Sequence, residues 1–186
     1  MLTRARSQLI YALIVAFVWS LVYMFNEAVF AGAQLSVVAN LIFLPAMIRP
    51  LAVLLFGGAG VAGLFLGAII TFPLSPLTLP ALIAVSAASS VPAWLALNLL
   101  RKRPSLTSQL SGELAGLQLS TILQIAILTA ALSATSHYFA FWYTPQTTHS
   151  FEQLAAMFIG DALGSMLMLW FISIVLRGLK GRGSSA

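Results

Sequence analysis

Arg49 stands between Pro45 and Pro50 in a stretch that holds no other charge from Val37 to Phe72. A permanent cation in such surroundings narrows what the chain can fold into. On membrane-insertion scales, a charge at the centre of a helix costs about 2.5–3.5 kcal/mol, so it faces a cavity, a partner or a substrate. Composition settles which solvent applies. The 186 residues are 60% hydrophobic and 7% charged, with a mean hydropathy of +1.00, whereas soluble domains carry about 25% charged residues. The chain is therefore expected to be an integral membrane protein, with the lipid bilayer as its first partner.

A pI near 10.3 invites a nucleic-acid reading, and the distribution of charge excludes it. Nine Lys and Arg face four acids. All the cations except Arg49 fall in three short clusters, which act as topology determinants and not as a nucleic-acid face. Without cysteine there is no disulfide, no thiolate metal site and no cysteine nucleophile. The basic start Met1 to Arg6 precedes an apolar run from Gln8 to Phe25 that is too long for a signal-peptide core and lacks a small-x-small cleavage site. It reads as a retained first span.

Hydropathy and punctuation predict an all-α polytopic protein of six transmembrane helices in a single domain, over about 8–25, 35–56, 61–79, 79–100, 113–136 and 154–176. Trp19 and Tyr23 read as interfacial aromatics, and Gly57 to Gly60 as a tight turn. The third segment is short before Pro73 and Pro76, and 105–112 reads as a polar loop. The clusters at Arg4 and Arg6, at Arg101 to Arg103, and at Arg177, Lys180 and Arg182 all become cytoplasmic if the crossings between them number four and then two. Both termini are then cytoplasmic and the protein is multi-pass.

Arg49 and Asp161 are the charged residues set in apolar surroundings. Arg49 either snorkels to the cytoplasmic headgroups or points into the bundle, to bind a small anionic ligand or pair with Asp161. Pro45 and Pro50 favour the second reading, because a broken helix at depth marks binding sites in transporters. In ideal helices the two charges sit offset in depth by roughly 12 Å, so a direct pair needs bent helices or a bridging group. Gln118, Thr121 and Gln124 lie near one face of the fifth span, for hydrogen bonding between helices or for lining a cavity. Gly57, Gly60, Gly63 and Gly67, with Gly160 and Gly164, read as helix-packing positions. His137 and His149 fall in an external loop without a flanking acid, so no metal is expected. No nucleophile, base and acid come together, so neither catalysis nor a cofactor is expected.

The run Phe43-Leu-Pro-Ala-Met-Ile-Arg49, then Phe56-Gly57 and Gly63-Leu-Phe-Leu-Gly67, resembles the first class of bacterial membrane-associated sensor (MASE-type) domains. Phe158-Ile-Gly-Asp161-Ala-Leu-Gly164 is similar to a Gly-Asp-x-x-Gly step late in those domains. Order and rough spacing agree from about Leu35 to Arg177. The chain departs in having fewer spans, and Met47 where a glycine is expected. The resemblance implies an inner-membrane sensory or ligand-binding module in a short stand-alone form, acting through a separate membrane or cytoplasmic protein. It also implies that Arg49 and Asp161 belong to one embedded core. Two other readings stand beside it: the small substrate-capturing subunit of an uptake transporter, and a structural or assembly subunit.

Overall fold

A computed structural model describes residues 2–30, 34–36, 39–40, 42–71, 78–110, 118–141 and 151–183. Helices dominate it: α1 (Leu2–Phe30), α2 (Ile48–Phe56), α3 (Gly58–Thr71), α4 (Leu79–Arg101), α5 (Pro104–Leu110), α6 (Leu119–Ala140) and α7 (Phe151–Gly183). Helix is the local solution in hydrocarbon, where each backbone N–H and C=O must find its partner within the segment. The stretches Arg4–Phe30, Leu79–Arg101 and Leu119–Ala140 are long and apolar enough to cross a membrane.

The expected second span, 35–56, is not one helix. Strands β1 (Gln34–Ser36) and β2 (Ala39–Asn40) pair antiparallel across a bulge. The chain is non-helical at Phe43, then makes a 3₁₀ turn over Leu44–Met47 before α2 begins. The prolines explain this. Pro45 and Pro50 each sit in the first turn of a helical piece, where a missing N–H costs nothing. They start two short pieces instead of bending one long one.

After α2 the chain reverses at Gly57, whose φ of +56° and ψ of −125° suit glycine alone. The turn is this one residue. Gly58 to Gly60, expected within it, already belong to α3. Helix α3 ends at Thr71, and Pro73 and Pro76 lie outside the described residues. Helix α4 matches its expected span to within a residue. Helix α5 replaces part of an expected loop, with Pro104 opening it and Leu106 and Leu110, four apart, buried against the core. Helix α6 runs further than the expected 113–136, ending at Ala140, and α7 extends the expected 154–176 at both ends.

The short α2 is the hub. Helices α1, α3, α4 and α6 pack around it, and the 3₁₀ turn before α2 lies against both α1 and α7. Ile48, Ala52 and Val53 are buried with Val15 and Trp19 of α1, Leu64 of α3, Ala93 and Leu97 of α4, and Ile122 and Ile125 of α6. Two glycines of α3 let it close on α1. A Cβ on Gly63 would come 2.5 Å from the Ala12 carbonyl oxygen, and one on Gly67 would come 2.8 Å from the Trp19 ring. The outer faces carry exposed Leu13, Phe17 and Leu21 on α1, and Leu163, Leu167 and Trp170 on α7, as lipid contact requires.

Candidate functional site

Arg49 is the second residue of α2 and is 3% exposed. Its guanidinium does not snorkel. Nη1 pairs with Oδ2 of Asp161 on α7 and donates to the Ser133 hydroxyl of α6 at 2.7 Å. The guanidinium carbon lies 5.5 Å from the Trp19 ring centre and 5.3 Å from that of Phe43. The cation is thus held between two aromatic faces, one carboxylate and one hydroxyl. Such a contact is worth about 2 kcal/mol or more when desolvated. Nε is buried and meets no acceptor among the described residues.

The direct pair overturns the expected offset, which counted from span edges that the structure places elsewhere. Phe56, next to the Gly57 turn, stacks on Tyr11 at 5.0 Å, which places that turn about a helical turn inside the apolar run that starts at Gln8. Helix α7 begins at Phe151, not at 154, so Asp161 lies ten residues in, about 15 Å along the axis.

The backbone around Phe43 is placed by α1 and α7. Phe43 N–H donates to the Gly160 carbonyl at 3.3 Å, and Leu44 N–H donates to the Asn26 side-chain oxygen at 2.9 Å. Gly164 has no room for a side chain, because a Cβ would fall on the Phe43 carbonyl. Gly164 therefore serves close packing against the non-helical segment, and Gly160 meets the same segment through its carbonyl. Gly60 does the same between α2 and α3, where a Cβ would fall on the Ala52 carbonyl. Gly57 does not pack: a Cβ there meets nothing, and its role is the turn.

A second polar group adjoins the first. His137, expected in a loop, lies inside α6 and is 3% exposed. Its Nδ1 is 2.9 Å from the Ser133 carbonyl, an acceptor only, so Nδ1 carries hydrogen. Its Nε2 is 3.1 Å from the Ser89 hydroxyl on α4. Ser133 joins the two groups: its hydroxyl oxygen accepts from Arg49 and lies 3.4 Å from His137 Nδ1, and its carbonyl accepts from Nδ1. His149 lies outside the described residues.

Other expected residues fall elsewhere. Pro45 and Pro50 are buried beside Arg49 in sequence and set the start of α2. Gln118 is exposed at the head of α6, and Gln124 is half-buried nine residues before Ser133, about 13 Å along the helix. Neither joins the charged centre. Trp19, expected at the interface, is 1% exposed and donates its indole N–H to Thr71 at 3.3 Å. The cleft lined by Leu119, Ile122, Leu163, Met166 and Trp170 is apolar and lies toward the other end of α6.

Comparison with protein families, with curated proteins and with solved structures found no match. What the fold and the site define is a helical membrane protein with an ion pair and a histidine at its centre.

Proposed function

We propose that this chain is a membrane-embedded sensory or ligand-binding module whose responsive element is the α2 arm, acting through a protein partner. The single observation that supports it most is the state of Arg49. A buried guanidinium offers five donors, yet among the described residues both of its polar contacts use Nη1, and Nε is buried without an acceptor. As a structural fastening this is poor, since apolar residues of similar volume serve stability as well as a buried ion pair. As a receptor it is suitable: a small anion with acceptor oxygens would satisfy Nε and draw on the charge that Asp161 now shares. Movement of α2 would then reach every helix around it.

On this reading the protein crosses the inner membrane six times, with α2 and α3 forming a short pair and both termini cytoplasmic. The resemblance to membrane-associated sensor domains in the segments around Arg49 and Asp161 points the same way.

The test is thermal unfolding of the protein in lipid nanodiscs against a panel of small carboxylates and phosphates. A ligand at a hundred times its Kd stabilises by about 2.7 kcal/mol. Arg49→Lys, which keeps the charge and loses the planar fork, should remove that gain. If no anion stabilises the wild-type protein, the structural reading replaces this one.

A further inference from the structure

The structure places a buried histidine beside the charged centre with a role that the ligand reading does not use. We infer that His137 is a proton-binding site coupled through Ser133 to the Arg49–Asp161 pair, so that a proton is a second stimulus of the proposed sensor beside the anion. This rests on the sensory reading for its purpose, and on the geometry alone for the binding step.

Both ring nitrogens have partners that suit either protonation state. Nδ1–H donates to the Ser133 carbonyl at 2.9 Å whether the ring is neutral or cationic. Nε2 faces the Ser89 hydroxyl at 3.1 Å, and a hydroxyl donates or accepts. In the neutral ring Ser89 donates to Nε2. When a proton binds Nε2, Ser89 rotates and accepts from it. Its own hydrogen can then turn to a carbonyl one turn back, as the neighbouring Ser90 does toward Ser86 at 3.0 Å. A proton therefore enters without breaking a hydrogen bond of the ring.

What it does disturb is Ser133. In the neutral state that residue holds one cation, Arg49, through its hydroxyl at 2.7 Å. After protonation it holds two, one on each oxygen, with Asp161 as their shared counter-charge. Arg49 from α2 and Asp161 from α7 are the charges that act on His137. Helix α4 presents the Ser89 hydroxyl and no ionisable group at this level, and Phe141, just after α6, has its ring 6.0 Å from that of His137. A second cation competes for the one carboxylate and loosens the hold on α2. His137 lies three residues from the end of α6, at the end away from the basic clusters in the six-span reading.

The experiment uses the full chain in lipid nanodiscs with His149→Gln, which leaves His137 as the one histidine. Ring-nitrogen NMR of labelled histidine, followed from neutral pH downward, should show the neutral Nδ1–H form converting to imidazolium while the protein stays folded. In the same protein with Trp94, Trp142 and Trp170 replaced by Phe, the emission of Trp19, which lies against Arg49, should change with the same midpoint. Asp161→Asn should lower that midpoint by a pH unit or more, a tenfold weaker proton affinity. Should that variant fail to fold, Ser133→Ala gives the second arm: His137 still titrates and the Trp19 response is lost. A ring that stays neutral until the fold is lost overturns the proton site and leaves the anion-sensing reading standing. Titration with no change at Trp19 overturns the coupling.

Discussion

Arg49 and Asp161, 112 residues apart in the chain, meet at the centre of the bundle as a direct ion pair. The pair ties the shortest of its apolar helices to α7, the last in the chain. Removing one partner leaves a buried charge, which costs about 3–5 kcal/mol, whereas removing both is close to neutral. Arg49→Met alone and Asp161→Leu alone should each lower stability by that amount, and the double variant should recover most of it. Denaturant unfolding in mixed micelles, arranged as a double-mutant cycle, gives the coupling. Additive losses would mean that the two residues do not share one interaction.

Asn26 should matter although nothing about it suggests chemistry. It is fully buried, and its side-chain oxygen accepts the Leu44 N–H where the helical turn begins. Asn26→Leu strands that donor, at about 1–3 kcal/mol for a buried unsatisfied group. Unfolding measurements should report this loss, and amide hydrogen exchange should speed up at Leu44 more than in α4.

The glycines separate two kinds of constraint. Gly164→Ala drives a methyl group into the Phe43 carbonyl, against backbone that is itself hydrogen-bonded to Gly160. Gly57→Ala meets open space and strains only the backbone angle, about 1–3 kcal/mol. The expected order is a larger loss for Gly164→Ala, with the loss at Gly57 insensitive to the size of the side chain beyond alanine. Equal losses for Gly57→Ala and Gly57→Leu, read from thermal unfolding, would support this.

Topology can be read directly because the chain has no native cysteine. Single cysteines placed at Ser105 and at Thr148 should be labelled from opposite sides of inside-out and right-side-out vesicles. Labelling of both from one side would remove the six-span reading.

Much of the helical layout was legible in the sequence, because apolar length reports it directly. Helix α4 was placed to within a residue. The stretch 35–56 was misread because apolar composition looks alike in a helix and in a strand pair followed by a helix, and the two prolines mark starts as readily as bends. Arg49 and Asp161 stood out because charge is rare in such surroundings. Their meeting did not, since depth counted from span edges ignores where the Gly57 turn packs against α1. His137 was hidden by ending α6 four residues early, and Trp19 by a general preference of tryptophan for interfaces that its hydrogen bond to Thr71 overrides. Ser133, set among Ala and Ser, carried no signal at all. Small hydroxyl residues in a membrane helix become informative only when their neighbours are known.

The separation of 112 residues between Arg49 and Asp161 also has a meaning in time. At about 5–20 residues per second, a ribosome needs roughly 6–20 s after making Arg49 before Asp161 exists. Through that interval α1, α2 and α3 must be accommodated with the guanidinium lacking its carboxylate. The rings of Trp19 and Phe43, both synthesised before Arg49, are available from the start. They offer the arginine two aromatic faces before the carboxylate of α7 has been made.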